Sequence, residues 1–501
     1  MEILSSFFLL GNGILSCLTL QNLLFCTIGS LIGSLIGVLP GIGISGTVAI
    51  LLPITYGLEP LTALIMLCGI YFGSAYGGAI TSILINIPGE ATSIVTCFDG
   101  NPLAKKGKGG KALSISSISS FLGGCIGIIG LTIFATMLSR VALQFGKVEF
   151  FSIIFFGLIL LITIASKNML KGLIVVCLGI LIGCIGLDEV FGSLRFTFGV
   201  VNLFKGVEFV TFIMGVYGIT ELLFAISGKE ESGEIMNYSR ADLYPQKSDF
   251  KVIWKTILRC GVLGFGMGLI PGCGGTLATF FAYGLERSLS KHPEEFGQGT
   301  IVGIAAPEST NNAAVYGSMV PLLSLGIPFS SSMAILMSAF IVHGITPGPL
   351  FITEHPDLFW GLIGSMLIGN IVLLIINLPL VGIWASMLKV NFSILMPIIT
   401  MVTFAGGYAI NGNIFDLGVM VICGFFGFFL NACGYNMAAL AVSLFLCGTL
   451  EDAFVGTMTL YKGNLLSAFI DRPIGGVIFL AAILFFLYSA YKHLYNFIKK
   501  N

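Results

Sequence analysis

Proline–glycine sequences interrupt four apolar stretches of this chain and expose backbone chemistry that an intact helix hides. The first pair of breaks has the sequences Leu39-Pro40-Gly41-Ile42-Gly43 and Ile270-Pro271-Gly272-Cys273-Gly274-Gly275. The second pair has the sequences Asn86-Ile87-Pro88-Gly89 and Gly326-Ile327-Pro328. Proline lacks a backbone N–H and its ring disrupts the helix, so each break frees polar backbone groups. Because lipid cannot satisfy those groups, they predict backbone that is buried in protein or faces a water-filled cavity.

Helices that restart after these breaks would present free N–H groups and a positive dipole end, which suits an anion such as a carboxylate. Every arginine falls in a predicted loop or at a segment boundary, so hydroxyls, amides and backbone N–H groups would have to hold that anion. The predicted substrate-binding residues are Ser45, Thr47, Asn86, Thr276, Thr279, Asn311, Asn312 and Ser330. The alternative is that these side chains only cap the broken helices.

A second group of polar residues near the breaks suits a coupling cation, which would be Na⁺ or H⁺. The candidates are Ser82, Glu90, Glu308 and Thr310. Carboxylates inside a membrane are costly unless they are paired or solvated, so they mark candidate functional positions. The hydroxyls have the alternative role of hydrogen bonding between helices. His and Cys show no metal-ligand spacing, and we predict neither a metal nor a cofactor.

The composition indicates the elements that must position these residues. Hydrophobic residues make up 56% of the 501-residue chain, only 10% are charged, and the mean hydropathy of +1.00 excludes a soluble globular protein. Apolar stretches long enough to cross a bilayer recur along the chain and predict an all-α polytopic membrane protein with roughly 12–15 membrane segments. The net charge is zero and the basic residues are scattered, which argues against nucleic acid as a partner.

Four short sequences recur in the same order and indicate an internal duplication. VLPGIG at 38–43 resembles LIPGCGG at 269–275, and YGLE occurs at 56–59 and 283–286. NIPGE at 86–90 parallels GIPFS at 326–330, and GNPL at 100–103 parallels PGPL at 347–350. We predict a first membrane repeat over 1–227, a cytoplasmic linker over 228–250, a second repeat over 251–473, and a C-terminal membrane helix with a cytoplasmic tail over 474–501.

The distribution of basic residues predicts the orientation of the two halves. Most of the 24 Lys and Arg residues fall in alternate loops, as expected if those loops are cytoplasmic and the chain runs N-out and C-in. GNPL at 100–103 leads into a cluster of four lysines, Lys105, Lys106, Lys108 and Lys111. PGPL at 347–350 leads instead into an acidic loop. Equivalent loops would thus face opposite sides, which is typical of secondary transporters with inverted repeats and re-entrant hairpins.

At these residues the sequence resembles the large membrane subunit of the tripartite tricarboxylate transporters, over roughly residues 20–490. The strongest segments are YFGSAYGGAITSILINIPGEATSIVTCFDGNPLAKKGKGGKAL at 71–113, the run from Pro271 to Pro328, and GITPGPL at 344–350. The resemblance implies ion-driven uptake of di- or tricarboxylates across the prokaryotic cytoplasmic membrane. It also implies a small membrane subunit and an extracytoplasmic solute-binding protein that delivers substrate. Ala91 and Phe329 depart from the usual proline and glycine of the family pattern.

Two other functions are compatible with parts of the sequence. A passive channel can also use broken helices. An intramembrane serine protease of the rhomboid type would use Ser45 in GISG at 43–46 as its nucleophile and His343 as its base. The repeat explains the same four residues, and Ser45 has no serine counterpart in GCGG. We therefore predict that the protein is not an enzyme.

Overall fold

The computed structural model describes residues 2–38, 44–163, 168–188, 191–227, 243, 246–272, 274–381, 384 and 392–500. The first predicted break, with Pro40, Gly41 and Gly43, lies outside these residues, as does most of the predicted linker.

The described chain is almost entirely helical. The helices are α1 (Glu2–Cys17), α2 (Leu20–Gly37), α3 (Ile44–Leu51), α4 (Pro60–Leu84), α5 (Ile94–Leu103), α6 (Gly109–Ala142), α7 (Lys147–Thr163), α8 (Met169–Gly183), α9 (Phe209–Ile213), α10 (Thr220–Ser227), α11 (Lys247–Gly268), α12 (Gly274–Leu289), α13 (Ile301–Leu325), α14 (Ser331–Val342), α15 (Phe351–Glu354), α16 (Pro356–Asn377), α17 (Phe392–Asn411), α18 (Ile414–Ala432), α19 (Met437–Leu460), α20 (Leu465–Asp471) and α21 (Pro473–Lys500).

Short irregular helices and one small hairpin complete the description. The 3-10 turns are Leu52–Thr55, Ala91–Ser93, Val201–Leu203 and Pro293–Glu295, and the π-helical segments are Ala104–Lys108 and Met214–Ile219. Strands β1 (Gly186–Leu187) and β2 (Leu194–Arg195) pair in antiparallel orientation.

Seven helices within the described ranges are long and apolar enough to cross a membrane, which confirms the all-α polytopic fold class. Two shorter apolar helices, Ile44–Thr55 and Ser331–Val342, follow proline–glycine breaks. Each has about 12 residues and is about 18 Å long at 1.5 Å per residue, so neither reaches across ~30 Å of hydrocarbon. They have the length of half-helices. The count of 12–15 membrane segments stays a prediction.

Glycines bring two pairs of long helices into direct backbone contact with matching register. A Cβ added at Gly33 of α2 would overlap the Ile70 carbonyl of α4, and one at Gly264 of α11 would overlap the Thr310 carbonyl of α13. One turn later the same relation holds between Gly37 and Ser74, and between Gly268 and Ala314. Small residues allow backbones to approach this closely within a membrane. The α2–α4 and α11–α13 pairs therefore share one packing pattern.

The breaks that follow α4 and α13 also share one backbone conformation. Asn86 and Gly326 both adopt left-handed conformations, with φ values of 58° and 69°, two residues before Pro88 and Pro328. Such φ values are uncommon for a residue with a side chain, although asparagine tolerates them better than most. Gly89 then packs against the backbone of α4, since a Cβ there would lie 2.5 Å from the Gly78 Cα.

Glycine packing on α11 leads to the first testable prediction. Gly268→Ala places a methyl group against the Ala314 carbonyl, whereas Gly266→Ala on the same helix meets nothing within 4 Å. We expect Gly268→Ala to lower the free energy of unfolding by about 1–3 kcal/mol, since overpacking a close contact costs that much. Thermal unfolding of the purified full-length protein measures the effect. Equal melting temperatures for the two variants would contradict the contact.

Candidate functional site: paired starts of the broken helices

Helices α3 and α14, one from each half of the chain, begin side by side. Ser45 Oγ at the start of α3 lies 2.9 Å from Ser331 Oγ and 2.8 Å from Ser332 Oγ at the start of α14. Beyond their other ends, Thr55 Oγ1 and His343 Nε2 lie 3.5 Å apart. The two half-helices therefore run parallel, with both N-termini at the same place. We call this arrangement the α3–α14 pair.

Helices α5 and α12 form a second parallel pair across the halves. At their starts, a Cβ on Gly275 would lie 2.9 Å from Thr92 Cγ2, in the 3-10 turn that leads into α5. Further along, the rings of Phe98 and Tyr283 make an edge contact with centroids 5.6 Å apart. We call this arrangement the α5–α12 pair. Four helix starts, two from each half, are thus brought together in two pairs.

The start of the α3–α14 pair is partly accessible, although the helices behind it are buried. The serines at the two helix starts are half-buried, namely Ser45, Ser331 and Ser332. The residues that follow them, 46–52 and 333–340, are buried. The hydroxyl of Tyr71, which is buried on α4, lies beside the hydroxyl of Ser332. Hydroxyls from three helices therefore lie together at this point.

Glu90 lies at the start of the α5–α12 pair. Its carboxylate accepts hydrogen bonds from the Thr92 hydroxyl and, at 3.3 Å, from the Asn311 side-chain amide of α13. Glu90 is also the N-cap of the turn into α5, with its own N–H 3.3 Å from Ser93 Oγ. Among the described residues no Lys or Arg makes an ion pair with it. Within the described chain, its carboxyl group therefore contacts only neutral donors.

Glu308 is a buried carboxylate, and it links α13 to the other half of the chain. Its side chain accepts hydrogen bonds from Thr96 Oγ1 at 2.5 Å and from Ser120 Oγ at 2.8 Å, and Ser116 lies beside it. Only 4% of its surface is exposed. The part of the chain that the structure describes supplies hydroxyls from α5 and α6 but no cationic partner. Such an arrangement suits a group that binds a proton or a small cation.

The other predicted hydroxyls and amides are placed as follows. Thr47 is buried within α3, Thr276 is half-buried at the start of α12, and Asn86 is exposed at its left-handed turn. Five of the predicted side chains form hydrogen bonds with backbone groups. Ser330 accepts from the Met333 N–H, whereas the other four donate to carbonyl oxygens. These are Thr279 to Thr276, Asn312 to Glu308, Ser82 to Gly78 and Ser93, and Thr310 to Cys260. Thus Ser45, Asn311 and Glu90 meet the opposite half through their side chains, while most of the others bond to nearby backbone.

The backbone positions predicted to be special are partly described. Pro271 is buried and Gly272 is left-handed with φ 75°, directly before α12 begins at Gly274. Gly326 and Pro328 precede α14, which begins at Ser331. Both breaks in the second half of the chain, at Pro271 and at Pro328, are therefore followed by a new helix, as predicted.

Several residues of the site were missed by sequence analysis. Tyr71, Thr92, Ser331 and Ser332 border the paired helix starts, and Thr96, Ser116 and Ser120 surround Glu308. The sequence does contain one signal for Ser331 and Ser332, because three consecutive serines follow Pro328 and Phe329. Tyr71 and Ser120 stand in apolar or serine-rich helices, and no local pattern distinguishes them.

Asp99, which sequence analysis left out of the site, holds the far end of the α5–α12 pair together. Its fully buried carboxylate accepts backbone N–H groups of Gly297, Gly299 and Thr300 at 3.0, 2.7 and 2.9 Å, and the Tyr283 hydroxyl at 2.8 Å. A carboxylate at this position also complements the dipole of α13, which begins at Ile301. Asp99 therefore fixes α5 to α12 and to the start of α13.

The geometry separates the two residues of the protease alternative. Ser45 contacts the first two residues of α14, and His343 follows the last one. An α-helix of 12 residues is about 18 Å long. Ser45 and His343 therefore lie too far apart for the hydrogen bond that a serine nucleophile needs from its base.

Comparison with known proteins identifies the family of the chain. The model of the tripartite tricarboxylate transporter TctA family matches residues 23–442. The chain belongs to this family. TctA proteins are transporter subunits, so this chain is a multi-pass membrane protein of a transporter family rather than of an enzyme family. No solved structure matches it significantly.

Two relatives from Agrobacterium vitis are similar to this TctA-family chain. One is an uncharacterized 52.8 kDa protein named for its position in the TAR-I ttuC′ 3′ region, 43% identical over 466 residues, covering 93% of this chain and 92% of the relative. The other is an uncharacterized protein from the TAR-II ttuC′ 3′ region, 45% identical over 208 residues, covering 42% of this chain and 86% of the relative.

Asp99 leads to the second testable prediction. Asp99→Ala removes a buried carboxylate that accepts three backbone N–H groups and the Tyr283 hydroxyl, so we expect the free energy of unfolding to fall by about 2–4 kcal/mol. Limited proteolysis within 290–300, together with thermal unfolding, measures the loss. Glu294→Ala, at an exposed position in the same loop, is the matched control and should change neither. Wild-type stability of Asp99→Ala would show that the three N–H groups find other acceptors.

Proposed function

We propose that this TctA-family protein is the membrane permease subunit of an ion-gradient-driven tripartite transporter that imports di- or tricarboxylates. An extracytoplasmic binding protein would deliver the substrate, and a small membrane subunit would complete the complex. The cellular location would be the prokaryotic cytoplasmic membrane. The family supplies the transporter class, and the geometry of the helix starts supports the finer assignment.

The observation that carries this proposal is that helix starts from the two halves of the chain meet in two pairs. Hydroxyl and amide side chains border them, and no described Lys or Arg makes an ion pair there. Free N–H groups and positive dipole ends suit a carboxylate. Neutral donors bind it less tightly than a buried arginine would, so the carboxylate can still dissociate. An anion that must be released on the other side of the membrane needs such a site.

The matching features of the two halves support a duplicated and inverted arrangement. Gly33 with Ile70 corresponds to Gly264 with Thr310, and the left-handed Asn86 corresponds to Gly326. The far end of the α5–α12 pair lies near the basic cluster, where Lys106 Nζ donates to the Gln298 carbonyl at 2.6 Å. Basic loops favour the cytoplasm, so this pair would occupy the inner half of the membrane and the α3–α14 pair the outer half.

This placement would put the helix starts near the middle of the bilayer, between the two pairs. Substrate sites of inverted-repeat transporters lie near the midplane at discontinuous helices. The chain would then run N-out and C-in. Coupling would use Na⁺ or H⁺ bound at Glu90 or Glu308, which are the described carboxylates closest to the helix starts and between the halves.

Uptake by reconstituted complex tests the proposal and the passive-channel alternative together. We expect the full complex in proteoliposomes to accumulate citrate or succinate above the external concentration when a Na⁺ or a proton gradient is imposed separately. Glu308→Gln should lower gradient-driven uptake at least about tenfold, because the loss of a buried ionisable group removes ion binding. Glu294→Gln, at an exposed position, is the control.

The pattern of results separates the alternatives. Uptake that only equilibrates citrate across the membrane would indicate a channel. Normal accumulation by Glu308→Gln would remove Glu308 from the coupling site. Accumulation of other solutes but of none of the carboxylates would contradict the proposed substrate class.

A further inference from the structure

The two paired helix starts are built on equivalent positions of the two halves. The register of the glycine contacts and of the left-handed turns relates α2 and α3 to α11 and α12 by one constant shift, and α4 and α5 to α13 and α14 by another. The same shifts relate Ser45 to Thr276, Ser332 to Thr92, Tyr71 to Asn311 and Ser330 to Glu90. Ser330 and Glu90 are both N-caps with closely similar backbone angles, φ −144° and −148°.

The equivalent positions carry different chemistry. The start of the α3–α14 pair has Ser330 at the capping position and is bordered by the hydroxyls of Tyr71, Ser45, Ser331 and Ser332, with no carboxylate among these residues. The start of the α5–α12 pair has a carboxylate, Glu90, at the capping position. The acid at the capping position and the change from Tyr71 to Asn311 therefore distinguish two otherwise related places.

We propose that the two equivalent helix starts bind different ligands. The substrate carboxylate binds at the α3–α14 pair, to Tyr71, Ser45, Ser331 and Ser332. The coupling cation or proton binds at the α5–α12 pair, to Glu90. This inference rests on the proposed function and assigns its two ligands to two different places. It adds Tyr71, Ser331 and Ser332 to the substrate site.

Hydrogen-bonding chemistry supports the assignment of the anion. A carboxylate only accepts hydrogen bonds, and hydroxyl groups can rotate to donate to it. The serine hydroxyls now bond one another, so an arriving carboxylate would replace weak neutral contacts with stronger charge-assisted ones. All three serines are half-buried rather than enclosed in the core. At the other pair the charge of Glu90 repels an anion and attracts a cation.

The two places are close enough to influence each other. Tyr71 lies beside Ser332, and it stands two turns, roughly 10 Å, from Gly78 on α4, where an added Cβ would lie 3.1 Å from Glu90 Cγ. A cation or proton that neutralises Glu90 would therefore favour an anion at Tyr71, since like charges at short range repel through a medium of low dielectric. This relation would make carboxylate binding depend on the coupling ion without a movement of either helix pair.

Carboxylate binding to the purified full-length protein in lipid nanodiscs tests the assignment. The probes are acetate, succinate and citrate, with binding followed by the ligand-dependent rise in melting temperature at several Na⁺ concentrations and pH values. We expect Tyr71→Phe and Ser332→Ala each to weaken binding of the recognised probe about tenfold, the usual effect of losing one hydrogen bond to a charged group. Ser338→Ala, which removes a helix-internal bond to the Ile335 carbonyl in the same α14, should bind as wild type does.

Two further variants separate the ion from the substrate. Glu90→Gln should keep carboxylate binding but lose its dependence on Na⁺ or pH. Ser330→Glu, which copies the acid of the other half, should weaken carboxylate binding at least tenfold while the protein stays folded, because glutamate already caps the equivalent turn.

The possible outcomes are distinct. Wild-type binding by both Tyr71→Phe and Ser332→Ala, or loss of binding in Glu90→Gln, would overturn the division while the carboxylate function stands. Wild-type binding that ignores both Na⁺ and pH would overturn the role of Glu90. Failure of the wild-type protein to bind any of the three probes would contradict the proposed function itself.

Discussion

A helix that is broken inside a membrane must keep its free backbone groups away from lipid, and this requirement governs the rest of the architecture. The long helices α4 and α13 end at left-handed residues, and each break is packed against neighbouring protein. Glycine contacts of α2 with α4 and of α11 with α13 provide the close walls that make this burial possible. The polar starts of the new helices then meet in pairs, with one helix of each pair from each half of the chain.

This constraint also explains how three carboxylates are accommodated. Asp99 is satisfied by three backbone N–H groups and a tyrosine hydroxyl, which is a complete and rigid arrangement. In the described chain Glu308 accepts from hydroxyls, and Glu90 accepts from a hydroxyl, a side-chain amide and the Ser93 backbone N–H of its capping box. Asp99 therefore has more backbone donors than either glutamate. A carboxylate with few donors changes its protonation or its ion partner more easily than one that is fully satisfied.

The sequence was sufficient to predict the membrane class, the breaks at Pro88 and Pro328, and two carboxylates that the structure places between the halves. Those predictions rest on local properties, namely hydropathy, proline chemistry and the cost of buried charge. Tyr71 and Ser332 could not be found in this way, because their importance comes from a contact between residues that are far apart in the chain. Asn86 shows the converse difficulty: the sequence marks it, but its left-handed backbone and exposed side chain are fixed by the turn.

Each pair of half-helices takes one member from each half of the chain, and this has a consequence for the origin of the protein. Under the proposed inversion, one half alone has two unpaired half-helices, and a second copy inserted in the opposite direction supplies both missing partners. The meeting point of the helices would then have existed at the contact of an antiparallel homodimer before the two copies became one polypeptide. Fusion would have freed equivalent positions such as Ser330 and Glu90 to evolve separately, which a symmetric ancestor could not do.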